Sequence, residues 1–220
     1  LDVPLSGSVK QKRLVYARAF VEDMYIRGYI PAKPRAIERR YANVQQTKPK
    51  PSTFSDSEVR RIVEAADDRI RLFVLLSVNC GYQQSDFVEI ECDDIDGESR
   101  TVSRERAKTG VYSSHRLWET TYDLLASYCQ RSDQPFVRGW SNISRQTTQH
   151  IAGVLGSTEL KAKHLRHTGA QLVERFGGGD QDLVSRHLAH ADGATARHYR
   201  RFDYSRLHAV HEQVGKHLGL

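Results

Sequence analysis

The stretch from Lys163 to Tyr199 concentrates side chains that can bind, protonate and attack a phosphate. Lys163 and Arg166 are three residues apart, so on a helix they share a face. A Gly-Gly-Gly break at 177–179 separates them from a second helical run ending in Leu188-Ala189-His190, and Tyr199 follows nine residues later. An arginine offers a phosphate a two-pronged fork, and a histidine adds a hydrogen-bond donor. A lysine such as Lys108 can deliver the proton that a leaving hydroxyl needs. Attack by a tyrosine oxygen on a phosphodiester keeps the bond energy in a phosphotyrosyl ester. The negative charge of the transition state then calls for preorganised cations and donors. This chemistry needs no metal and no cofactor.

The elements that must position these groups read as mainly α with a small antiparallel β-sheet, an α+β chain. Ser8 can cap a helix from Val9 to about Arg27, with Leu14, Ala17, Val21 and Met24 at helical spacing and Gly28 as its stop. Residues 29–52 carry four prolines and many cations, which reads as a basic linker with room for a short helix at Arg35–Tyr41. Ser55 and Glu58 form a capping-box pattern for the next helix. Ile70 to Val78 is apolar nearly all round, as a central helix would be. A short helix starts at Gln84. Thr101-Val102-Ser103 and His115-Arg116-Leu117-Trp118 read as strands around a Lys108-Thr109-Gly110 hairpin. Helices follow at 120–130, 144–155 and 160–176, then from the Asp180 cap to about Ala189, then briefly around Tyr199. Leu207, Val210, Val214 and Leu218 give the last helix, 204–218, its apolar stripe.

Composition bounds the function. Of 220 residues, 39% are hydrophobic and 27% charged, which suits a globular chain with a real core. No run is long and apolar enough for a membrane span, and the N-terminus has no apolar signal core. The net charge of +6 favours a polyanion partner or simply a basic enzyme. Cys80, Cys92 and Cys129 are odd in number and widely spaced, which predicts reduced thiols. The histidine pairs His164/His167 and His187/His190 lack the usual zinc spacing and an accompanying carboxylate, so no metal site is expected.

Taken in order, the motifs resemble the tyrosine recombinase (phage integrase) family. Lys163-His164-Leu165-Arg166 is similar to the family's His/Lys-x-x-Arg helix. Leu188-Ala189-His190 is similar to its Leu-Gly-His, with Ala for Gly. Tyr199 has the family's spacing, and Arg106-Ala107-Lys108-Thr109-Gly110 is similar to its hairpin. The resemblance covers residues 54–220, and residues 8–34 look like the last helix of the family's DNA-clamping domain. It implies three segments: 1–28, the end of a truncated clamp domain; 29–52, a linker; and 53–220, the catalytic domain. It also implies site-specific DNA strand exchange by Tyr199, Arg166, His190, Lys108 and Lys163 on a double-stranded site. Further implications are a tetramer assembled through the C-terminal helix, and a cytoplasmic, DNA-associated protein of prokaryotic, viral or mobile-element origin. Lys33, Arg35, Arg39, Arg40, Lys48, Lys50, Arg106 and Arg145 are the expected DNA contacts.

One position departs from the pattern. In Cys80-Gly81-Tyr82-Gln83-Gln84-Ser85-Asp86 the family would place its first arginine at Gln83, and glutamine carries no charge. Three readings stay open: an arginine supplied from elsewhere, with Arg104 and Arg145 as candidates; an inactive DNA-binding relative; or a deliberate substitution that traps a complex. A metal-dependent helical hydrolase is a third functional class and predicts sensitivity to chelators.

Overall fold

A computed structural model describes residues 7–37, 52–130, 136, 140–190 and 203–220. The chain divides into two units, Leu1–Lys50 and Pro51–Leu220.

In the first unit, helix α1 spans Gly7–Ile26, so Ser8, expected just before the helix, lies within it. Leu14, Val21 and Met24 line its half-buried face, whereas Ala17 is exposed and Arg18 takes a place on the inner stripe. Position 18 follows 14 by four and precedes 21 by three, so it shares their face. Its Nε donates to the Ile37 carbonyl at 2.6 Å. Gly28, at φ 75°, closes the helix. There the Tyr29 N–H bonds the Met24 carbonyl and the Gly28 N–H bonds that of Tyr25, the paired bonds of a glycine stop. Among its described residues, the proline-rich segment holds a 3-10 turn at Arg35–Ile37. Arg39, Arg40, Lys48 and Lys50 lie outside the described residues.

The second unit opens with α2, Asp56–Glu64, capped as its sequence requires. Ser55 Oγ accepts the Glu58 N–H, and Glu58 Oε2 accepts the Ser55 N–H at 2.8 Å. Helix α3, Asp68–Asn79, buries every residue from Leu72 to Asn79 and forms the centre of the unit. The short α4 is Gln84–Phe87. Three antiparallel strands follow in the order β1 Ile95–Asp96, β2 Thr101–Arg106 and β3 Val111–Arg116. The register pairs Val102 with His115 and Arg106 with Val111. The expected second strand thus ends two residues early. Trp118 turns the chain into α5, Glu119–Cys129, because Asn79 Oδ1 accepts its backbone N–H at 2.9 Å. Helices α6 Ile143–Leu155, α7 Lys163–Phe176, α8 Gln181–His187 and α9 Ser205–Leu218 complete the described elements.

Two apolar clusters hold these elements together. One joins α2, α3, α7 and α9 through Val59, Ile62, Val74, Leu165, Leu172 and Leu207. The other is aromatic at its heart: Phe87 lies 4.5 Å from Phe136 and 4.8 Å from Trp140 between ring centroids. Gly169 lets α7 close on α3, since a Cβ at that position would stand 2.3 Å from the Val78 carbonyl oxygen. Helix α9 buries Leu207, Val210, Val214 and Leu218 in its own domain. Trp118 Nε1 donates to the His211 carbonyl at 2.8 Å and pins it there.

The thiol expectation needs correcting. Cys92 and Cys129 form a disulfide with Cα atoms 5.6 Å apart, and Cys80 alone is a buried thiol. Sequence spacing gave no hint, because the partners come from the turn before the sheet and the end of α5, 37 residues apart. Among the described residues, no helix is long and apolar enough to cross a membrane.

Candidate active site

Arg166 is buried on α7 and takes its bearings from two backbone carbonyls. Its Nη1 donates to Gly81 and its Nη2 to Leu188 at 2.6 Å. Gly81 adopts φ 67° where α3 gives way to α4. A side chain there would be strained, and its Cβ would stand 3.1 Å from His187. Burial first, then the positive charge of Arg106, lowers the Arg166 pKa to about 10, while Asp86 opposes the fall. Arg166 therefore remains a cation at neutral pH, short of solvent and ready for an anion.

Asp86 and Arg106 form the second buried element. Strand alternation puts Val102, Arg104 and Arg106 on one face of β2. From that face Arg106 reaches Asp86 in α4, with Nε to Oδ1 at 2.5 Å and Nη2 to Oδ2 at 2.9 Å. Asp86 Oδ2 also accepts the Gln83 N–H at 2.9 Å. One carboxylate thus fixes both the Gln83 backbone and a guanidinium whose charge is felt at Arg166. Arg106, expected on the DNA surface, is instead buried inside the site. Of the two arginines considered as substitutes for Gln83, Arg104 is committed to the Asp86 carbonyl, Glu89 and Asp94. Arg145 is exposed on α6.

A cleft of about 240 Å³ opens beside these groups, lined by Tyr82, Gln83, Ser85, Ser144, Lys163 and Arg166 among others. Lys163 and Arg166 therefore do share a face, and Gln83 looks into the same space without adding charge. Lys163 is exposed at the start of α7.

The turn 188–190 ties the remaining groups together. The Leu188 carbonyl holds Arg166, and the Ala189 carbonyl accepts Thr109 Oγ1 at 3.1 Å, docking the hairpin of Lys108. Ala189 is buried and has φ 45°, a conformation that suits glycine. His190 is exposed, with its N–H bonded to the Ser185 carbonyl at 3.1 Å, and Lys108 is exposed on the hairpin. Tyr199 lies outside the described residues. Lys33 is exposed but paired with Glu22 at 2.7 Å, and Arg35 is exposed.

Sequence reading missed the burial of Arg106 against Asp86. Its signal was its position two residues before Lys108 at the end of a strand.

The domain is helical with a small antiparallel sheet, and a buried arginine and a lysine hairpin both dock on the turn 188–190. Residues 52–206 match the phage integrase family, and the chain belongs to it. Over 218 residues it is 22% identical to tyrosine recombinase XerC of Caldanaerobacter subterraneus subsp. tengcongensis, covering 90% of this chain and 60% of that protein. The integrase of mycobacterium phage Brujita superposes with a TM-score of 0.65 at 16% identity, over 96% of this chain and 74% of that one. Lambda integrase, solved as a tetramer bound to a Holliday junction, gives 0.62 at 16% identity, over 91% and 62%.

Proposed function

We propose that this chain cuts and rejoins DNA at a specific site through a 3′-phosphotyrosyl intermediate on Tyr199, with Arg166 and Arg106 as the two guanidiniums that stabilise the transition state. The observation carrying this reading is the buried Arg106–Asp86 pair beside the carbonyl-held Arg166. Asp86 supports a guanidinium from β2, so the site keeps two guanidiniums although position 83 has none. Both are preorganised, and preorganised charge lowers a barrier without reorganising as the reaction proceeds. His190 donates to a non-bridging oxygen. Lys108, on the docked hairpin, protonates the leaving 5′-hydroxyl. Lys163 contacts the phosphate from the cleft wall.

DNA is the partner this site fits. Lys33, Arg35, Arg39, Arg40, Lys48, Lys50 and Arg145 contribute backbone contacts, which position the duplex without reading its sequence. Four strand cleavages need four tyrosines, hence a tetramer. Helix α9 is the element that would pass between subunits, since its apolar stripe fits a groove each copy already has.

The second reading, a DNA-binding protein that no longer cleaves, rests on the uncharged Gln83. Incubation with nicked suicide DNA followed by denaturing electrophoresis separates the two. A covalent band that disappears in Tyr199→Phe and drops roughly 10²–10³-fold in rate in Arg106→Ala is expected. Tight, salt-sensitive binding with no band in the parent chain would establish the second reading and sink the first.

A further inference from the structure

Three histidines from three elements converge below the active site: His115 on β3, His187 at the end of α8 and His211 on α9. All three are fully or almost fully buried. Their ring centroids form a nearly equilateral triangle with sides of 5.7, 5.5 and 5.4 Å. One donor nitrogen from each ring lies within 4.8 Å of the other two. His187 Nδ1 and His211 Nε2 are 3.2 Å apart.

Hydrogen bonding does not account for His115 in this cluster. A neutral imidazole has one N–H to donate and one nitrogen to accept. Both ring nitrogens of His115 find no hydrogen-bond partner among the described residues, while His187 Nδ1 and His211 Nε2 face each other at 3.2 Å. Leaving a buried polar atom unpaired costs about 1–3 kcal/mol, so three leucines would fill the same space at lower cost. Buried orphans of this kind call for a missing water or ion.

We infer that His115, His187 and His211 form a binding site for a divalent transition ion of the zinc class. Around a tetrahedral ion with nitrogen bonds of about 2.0–2.1 Å, donors stand roughly 3.3 Å apart. His187 and His211 already have that spacing, and a donor of His115 lies within 4.8 Å of both. Three imidazoles suit zinc, cobalt or nickel, whereas calcium and magnesium take oxygen ligands. Three protein ligands leave one position for water or hydroxide, and hydroxide would reduce the charge placed near Arg166.

The ion's role follows from where its ligands sit. His187 immediately precedes Leu188, whose carbonyl orients Arg166. His211 is on the helix proposed to pass between subunits, and its carbonyl holds Trp118. A metal at this point would staple α9 to the sheet on which it docks and brace the turn that positions Arg166. It acts as a structural lock, separate from the phosphoryl chemistry.

The test uses the tag-free full chain, analysed for metal as purified and after refolding with Co²⁺. One ion per chain is expected, with the strong visible absorption of four-coordinate cobalt. Loading is expected to raise Tm by roughly 5–10 °C. The extended X-ray fine structure of the zinc form should show three imidazole nitrogens at about 2.0–2.1 Å. His187→Leu and His211→Leu should each abolish binding, while His164→Ala with His167→Ala, which removes a surface pair, should leave it intact. A metal-free chain with no Tm shift, or binding that survives His187→Leu but not the surface double variant, overturns the inference. The spectroscopy decides the matter even if the leucine variants fold poorly.

Discussion

Arg106 and Asp86 meet through two parallel bonds, 2.5 and 2.9 Å long, with both side chains buried. Breaking a buried pair by removing one partner is far more costly than replacing both, because it strands a charge. Asp86→Asn should therefore destabilise the chain by about 3–5 kcal/mol in urea unfolding. Combining it with Arg106→Met should recover part of that loss. A cost below about 1 kcal/mol would mean that water reaches the pair.

Gln83→Arg should not rescue or accelerate DNA cleavage. A new guanidinium at position 83 would compete with Arg106 for Asp86, which already accepts the Gln83 N–H. It would also add a third cation beside a desolvated Arg166. Single-turnover cleavage of suicide DNA measures this, and a tenfold gain or more would show that Arg106 is not the substitute.

Ala189 holds a left-handed backbone at φ 45° in the turn that carries His190. For an L-residue this conformation costs roughly 1–2 kcal/mol, partly offset by the greater chain entropy glycine must lose. Ala189→Gly should raise stability by about 0.5–1 kcal/mol, read as a higher urea midpoint at unchanged slope. No gain would mean that the turn relaxes around alanine.

Reducing the Cys92–Cys129 bridge opens a loop spanning 37 residues of separation. The chain-entropy estimate for a loop of that size is about 4 kcal/mol, with typical measured values of about 2–4. Dithiothreitol should lower Tm, and Cys92→Ser with Cys129→Ser should reproduce the drop. Equal melting with and without reductant would show that the bridge is not closed in solution.

Asp56 at the start of α2 accepts from His217 of α9 at 2.6 Å and from Arg175 at 3.2 Å. The His217 bond is the main cause that lowers its pKa below the usual 3.8; burial opposes and Arg175 adds. A carboxylate with a lowered folded pKa stabilises fully above 3.8, and the gain disappears as pH falls through the folded value. Because the pair is partly solvated, Asp56→Asn should cost only about 0.5–1 kcal/mol at pH 7 and nothing near pH 2. Unfolding curves at the two pH values test the sign.

The sequence by itself determined the local structure and the family resemblance. The Ser55–Glu58 cap, the all-round apolar α3, the glycine stop at 28 and the stripe of α9 are encoded by neighbours a few residues apart, and the structure repeats them. The three-residue offset of Lys163 and Arg166 puts them on one cleft wall for the same reason. Tertiary structure decided what depends on residues far apart in the chain. Asp86 selects Arg106 across 20 residues, Cys92 finds Cys129 across 37, and three histidines from β3, α8 and α9 share one buried point. No periodicity records such meetings, because they are set by how the helices pack. Gly169 allows α7 to approach α3 closely, and Trp118 anchors α9 over the sheet. Those contacts turn a row of suggestive residues into a site with two buried guanidiniums.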